Sequence, residues 1–403
     1  MCLSRALCPA TLALALALSS ESSGQSTVDR LISASAKAIQ DSAIVVDTHE
    51  DTPLRFLDEN YDIGSVDPID HDYISLAKAH AGNLTGEFFS IFVYPPENKL
   101  HFTTRALELI DSVYEQAAQH PDRMMMAFSS EDIERAHQVH KLAALMGVEG
   151  GHAIENDIRV LRNFYRLGVR YMTLTWSTSN EWADSSGDID DAKVEHHNGL
   201  TDFGKQVVLE MNRLGMMVDI SHVSDKTFWD AIAVAKAPVI ASHSSARALT
   251  DSPRNMTDEM LRAVAKNGGV VCVNFVGYFV DESFARASER QHQSMTAAVR
   301  DYAAKQNTAG HPLTPEDSQR FALEWLNRNP IARAPLRSLI DHIDHVARVA
   351  GVDHVGLGSD FDGRNFFPEG IDTAADICPR LRRHCWIGDT APTTFTRFSA
   401  EMC

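Results

Sequence analysis

The chain has 403 residues, of which 44% are hydrophobic and 23% charged, with a formal charge of −18. That apolar share supports a sizeable core and excludes disordered and collagen-like classes. The acidic balance argues against a general nucleic-acid binder, and no basic stretch stands out beyond Arg380 to Arg383.

From the amino end, Arg5, the apolar run Thr11 to Leu18 and the Ser-rich stretch Ser19 to Ser26 have the layout of a secretory signal over residues 1–24. Its apolar core is too short for a permanent bilayer span, and no later segment is apolar enough for one. The expectation is a periplasmic or secreted protein without a transmembrane segment.

Short apolar runs then alternate with helical patterns. The runs are Ala43 to Asp47, Glu87 to Val93, Ala143 to Glu149, Tyr171 to Trp176, Met217 to His222, Pro238 to His243, Gly269 to Phe275 and His354 to Asp360. Between them lie stretches with apolar residues three and four apart, such as Phe203, Val207, Val208, Met211 and Leu214. Parallel strands need crossovers, so eight strand–helix repeats predict an α/β fold, a (β/α)8 TIM barrel over residues 30–376. Residues 281–335 break the rhythm. They are polar, with amphipathic fragments at Ala297 to Ala304 and Asp317 to Asn327, and read as an insertion over the barrel mouth or an oligomer contact.

Side chains i and i+2 of a strand share a face, so His49 and Asp51 leave the first strand together. Glu149, His222, His243 and Asp360 end later strands, where barrel enzymes carry their functional groups. Burying such groups unpaired is costly, and divalent metal resolves the cost. Three ligands per ion plus a water is the arrangement of catalytic zinc, and a carboxylate can bridge two ions. His49, Asp51, His222 and His243, with Glu149 shared, therefore predict a binuclear site that activates water for hydrolysis. Asp360 is the expected proton shuttle. Asp362 reads as a turn residue before Gly363. His342 and His345 read as a solvated helix face, and His196 and His197 as loop residues near the mouth. Cys272 reads as a buried thiol, and Cys378, Cys385 and Cys403 leave room for one tail disulfide.

Taken in order, Asp47-Thr-His49-Glu-Asp51, Gly147-Val-Glu149-Gly-Gly-His152, Tyr171-Met-Thr-Leu-Thr, Asp219-Ile-Ser-His222, Ser242-His243, Arg254-Asn255 and Gly358-Ser-Asp360-Phe-Asp362-Gly363 resemble the membrane (renal) dipeptidase family of zinc peptidases. The resemblance runs from about Ile44 to Asp376. It implies a metal-dependent hydrolase barrel with two zinc ions, one held by His49 and Asp51 and one by His222 and His243, with Glu149 between them. It also implies a dipeptide substrate, often with a D-residue on the carboxyl side, whose free carboxylate meets Arg254.

The chain departs from the family pattern at two places. Trp176 stands where a substrate-contacting histidine is common, which leaves His152 as a replacement donor or as a hydrogen-bonding residue behind the site. Residues 377–403 lack the helical period of the family's end and read as a truncated or frame-shifted tail, so lowered stability or pairing into a homodimer is expected. Two alternatives stand beside the dipeptidase: a binuclear hydrolase of another amide or lactone, and a metal-binding member with impaired catalysis.

Overall fold

The computed structural model describes residues 42–65, 72–95, 101–308, 313–363 and 366–381. The signal-like residues 1–24, and the tail from residue 382 with Cys385 and Cys403, lie outside the described residues. Nine parallel strands are present among those described: β1 (Val46–Glu50), β2 (Gly86–Phe92), β3 (Met124–Met126), β4 (Leu142–Glu149), β5 (Val169–Thr173), β6 (Met217–Asp219), β7 (Ile240–Ala241), β8 (Val270–Asn274) and β9 (Val355–Gly358). Eight follow one another in the order β2-β1-β9-β8-β7-β6-β5-β4, and β4 returns to β2, which closes the barrel. β2 and β4 run in register from Gly86 opposite Ala143 to Phe92 opposite Glu149. The expected (β/α)8 barrel is therefore the fold. The short β3, absent from the sequence reading, pairs with the start of β4.

Alternation along the strands sorts side chains into two cores. Val46, Phe88, Leu145, Tyr171 and Cys272 form one cluster, which fills the barrel. Phe89, Ile91, Met146, Val148, Val271 and Val273 belong to the other, under the helices. Helix starts are written locally: Ser129, Asp157, Thr201, Ser224 and Thr257 each accept a backbone N–H of the following turn.

The polar segment 281–335 carries helices among its described residues. Its amphipathic fragments lie in two helices, Glu282–Thr308 and Pro315–Arg328. They are pinned to each other by the stacked rings of Tyr302 and Phe321, whose centroids are 4.2 Å apart. His342 corrects the solvated-face reading. It is 1% exposed, and its Nδ1 accepts the Ala246 N–H at 3.0 Å. His345 pairs with Asp258 at 2.7 Å. The start of the tail also differs from expectation: residues 377–381 are helical, and Ile377, Cys378 and Leu381 are buried. No helix among the described residues is long and apolar enough to cross a membrane.

Candidate active site

The site is built at the carboxyl ends of the strands. Between Asp47 and Glu50, β1 takes three steps while β2 takes two, from Glu87 to Phe89. Such a bulge re-aims the residues that follow, and it turns His49 and Asp51 together into the mouth. Glu149 ends β4, His222 lies three residues past β6, His243 two past β7, and Asp360 two past β9. His222 and Asp360 both sit in the left-handed region, with φ of 65° and 64°. Neither is glycine, so each stores strain of about 1–3 kcal/mol, a cost that concentrates at functional sites.

These side chains converge. Glu149 Oε1 lies 2.9 Å from His222 Nε2 and 3.5 Å from His243 Nε2, while its Oε2 lies 3.7 Å from His49 Nε2. The two oxygens of one carboxylate thus face two groups of imidazoles. His222 and His243 bring their Nε2 atoms to 2.8 Å, and His49 Nε2 is 3.9 Å from Asp51 Oδ2. Ligand-capable atoms of His49, Glu149 and His243 all lie within 4.8 Å of one another, as do those of His49, Asp51 and Asp360. The implied division into two sets is less sharp than expected, because the His243 ring also stacks on His49 at 3.7 Å.

Hydrogen-bond accounting gives the histidine tautomers. The Tyr171 hydroxyl donates its one proton to the Thr48 carbonyl at 3.0 Å, so at 2.8 Å from His49 it accepts the Nδ1–H. Ser242 Oγ donates to Asp219 at 2.6 Å and likewise accepts the His243 Nδ1–H at 2.7 Å. Both rings therefore aim a bare Nε2 lone pair into the centre, the form that binds metal. His49 Nε2 is buried with no hydrogen-bond partner among the described residues. Burial and the neighbouring Arg254 hold His49 down at about 3, and burial with the other imidazoles and Arg254 keeps His243 well below its ordinary value. Glu149 is pushed the other way by burial and by Asp51 and Asp360. Neutral imidazoles and crowded carboxyls around one centre are relieved by cations, so the donor set fits divalent metal.

Residues behind the ligands complete the frame, and several were not singled out from the sequence. Asp219 is fully buried and accepts from Thr173 at 2.5 Å, from the Ser221 N–H at 3.0 Å and from the Ser242 N–H at 2.9 Å, which joins the ends of β5, β6 and β7. Asp47 accepts the Ser359 N–H at 2.8 Å and ties β1 to β9; burial raises its carboxyl to about 7. Both occur inside the quoted motifs, two or three residues before a ligand, and that position was the available signal. Gly147 has a purpose here too. A Cβ there would lie 2.0 Å from the Tyr171 ring, so glycine makes room for the tyrosine that orients His49. At Gly363 a Cβ would lie 2.3 Å from both Asp360 Oδ1 and Asp51 Oδ2.

Asp360 is held by the Asn274 amide, which donates to Oδ2 at 2.8 Å. Asp362 accepts from the Thr52 hydroxyl at 2.7 Å, beside the mouth. Arg254 donates to the His243 carbonyl and to Ser244 Oγ, each at 2.9 Å, and its buried Nε has no hydrogen-bond partner among the described residues. A cavity of about 340 Å³ opens over this centre, and its walls include Glu149, His222, Asp360, Phe92, Tyr94 and Trp176. His152 is not among the residues lining it. Its Nε2–H is spent on the Val93 carbonyl at 2.8 Å, and its ring stands edge-on to Phe102, which places it behind the site. His196 and His197 gather around Asp184 in the loop before the Asp202–Leu214 helix.

The fold and this rim of imidazoles and carboxylates define a metal-dependent (β/α)8 barrel. The chain belongs to the membrane dipeptidase family, peptidase family M19, whose model matches residues 33–384. Dipeptidase 3 of Homo sapiens is 32% identical over 346 residues, which cover 84% of this chain and 59% of that protein. The chain thus spans under two thirds of that relative's length. Among solved structures, a metallopeptidase of the same family called dipeptidase AC is 25% identical, with a TM-score of 0.71 over 89% of this chain and 96% of that one. A metallopeptidase from Rhodobacter sphaeroides, liganded with a phosphinate mimic of L-Ala-D-Ala, is 25% identical, with a TM-score of 0.70 over 89% of this chain and 97% of that one.

Proposed function

We propose that this chain is an exported dipeptidase that works with two zinc ions and accepts a D-residue on the carboxyl side of the scissile bond. The observation that carries the reading is the divided Glu149 carboxylate, one oxygen toward His222 and His243 and the other toward His49. His49, Asp51 and Glu149 would hold one ion; Glu149, His222 and His243 would hold the other. When bound, such a pair activates a water and polarises the amide carbonyl.

The chain's own residues supply the rest. Asp360, steadied by Asn274, takes the proton of the attacking water and returns it to the leaving amine. Arg254 offers its unspent Nε–H to the terminal carboxylate of the substrate, which limits the site to short peptides. Burial of the whole centre strengthens each of these interactions by excluding water. Tolerance of a D-residue rests on the dipeptide mimic seen in the Rhodobacter relative. Export rests on the signal-like layout of residues 1–24.

Trp176 in the cavity wall favours a second reading, a metal-binding member with weak turnover, because indole brings no charge to the reacting centre. The zinc-loaded protein is expected to carry two zinc ions per chain and to cleave members of a panel of L,L and L,D dipeptides. Glu149→Gln and His222→Ala should each lower kcat/KM by more than about a hundredfold, beyond the usual effect of residues behind a metal. A folded, two-zinc sample that cleaves no dipeptide would overturn the dipeptidase reading in favour of the second.

A further inference from the structure

We propose that the wall formed by Phe92, Tyr94 and Trp176 receives the side chain of the substrate's amino-side residue and selects a bulky apolar or aromatic group there. The inference rests on the dipeptidase reading and deepens it. The three rings form one connected surface: Phe92 and Trp176 have centroids 5.0 Å apart, Tyr94 and Trp176 5.6 Å, and Phe92 and Tyr94 6.3 Å. None is fully buried, and Tyr94 is 38% exposed, so apolar area faces the same 340 Å³ cavity as Glu149 and Asp360.

Barrel topology fixes which part of a dipeptide reaches this wall. Around the closed sheet, β2 lies four strands from β7 in either direction, so Phe92 at the end of β2 stands across the mouth from His243 and Arg254. Glu149, the register partner of Phe92 on β4, stands beside the wall and reaches with its carboxylate toward His222 and His243 on that far side. A dipeptide with its carboxylate on Arg254 and its scissile carbonyl over Glu149 therefore extends its amino-side residue toward Phe92, Tyr94 and Trp176. The carboxylate end of the substrate is matched by Arg254, whose guanidinium lies 5.6 Å from the Phe279 ring centroid; at the other end the three rings offer apolar surface to the side chain, while the free α-ammonium shares the cavity with the Asp51, Asp360 and Asp362 carboxylates. Covering such surface with a large apolar side chain removes both from water, and aromatic pairs add to the gain.

The test is a series of X-Gly dipeptides, with X running from Gly through Ala and Leu to Phe, on the zinc-loaded protein. Phe-Gly should exceed Gly-Gly by about fiftyfold in kcat/KM, and Trp176→Ala should cut that ratio by about tenfold while Trp176→Phe keeps most of it. Tyr94→Ala, at a more exposed position, should reduce the ratio in the same direction. Binding is read in parallel by calorimetry and by the change in Trp176 fluorescence, taken as the difference from Trp176→Phe. If dipeptides bind without being cleaved, the hydrolase reading fails while a tighter Kd for Phe-Gly than for Gly-Gly still supports the wall. Equal kcat/KM and equal Kd across the series, or a preference unchanged in Trp176→Ala, would overturn the wall alone. A failure of every dipeptide to bind would overturn both.

Discussion

At the scale of single residues, the proposed metal ligands are held by partners that never touch the centre. The Tyr171 hydroxyl fixes His49 through Nδ1, so Tyr171→Phe should weaken zinc binding about 10- to 100-fold with little change in the barrel. Gly363→Ala should do at least as much, because a methyl group there would push the Asp51 and Asp360 carboxylates apart. Competition with a chromogenic chelator reads both variants, and wild-type zinc affinity in either would refute this account of the frame. The gathering of the proposed ligands at one rim was legible in the sequence because each stands at the end of an apolar run, where burial without a cation is costly. His152 and His342 were not legible in the same way. Whether a histidine turns toward a cavity, a backbone carbonyl or a neighbouring loop depends on contacts 59 and 96 positions away, and periodicity does not encode them.

Among the elements, the strands were readable because runs of apolar residues bounded by polar ones suit a sheet buried on both faces. β3, a run of three methionines paired only with β4, carries no such signal. The two helices of the insertion show their period only in fragments, since Phe284 is the one residue of Glu282–Thr308 that is buried. The helix Leu336–Ala350 is joined to the loop after β7 by His342, whose Nε2 reaches the Thr250 hydroxyl at 3.2 Å. Burial, helped by His345 and opposed by Asp341 and Asp281, lowers His342 from 6.5 to about 4. The unfolded chain thus binds more protons between those values, and stability present above pH 6.5 is lost as pH falls toward 4. The loss amounts to roughly 3 kcal/mol. Denaturant melts at pH 7 and pH 4.5 should show this slope in the wild type and a flatter one in His342→Asn. Equal slopes would remove His342 as its source.

For the whole molecule, the closed barrel followed from eight strand–helix repeats, but the seating of the tail did not. Gly82 meets the Ala374 carbonyl so closely that a Cβ would sit 2.1 Å away, which locks the segment after β9 onto the helix Leu76–Ala81. No local pattern foretells a contact between residues so far apart in the chain. The first and last strands are joined beneath the ligands by the Asp47 to Ser359 bond and by the Asp360 N–H, which donates to the His49 carbonyl at 2.9 Å. Those bonds span roughly 310 positions, and they set a timetable for metallation. A nascent chain displays His49 and Asp51 early, yet lacks His222 and His243 until β6 and β7 are made, and the barrel that gathers them stays open until β9 docks between β1 and β8. Ion capture is therefore expected late in folding, once the barrel has closed. Stopped-flow kinetics should show zinc slowing the unfolding limb strongly and leaving the refolding rate nearly unchanged, whereas refolding accelerated by zinc would place metallation inside the folding nucleus. Unfinished chains would then leave the scarce ion for molecules whose barrels have already closed.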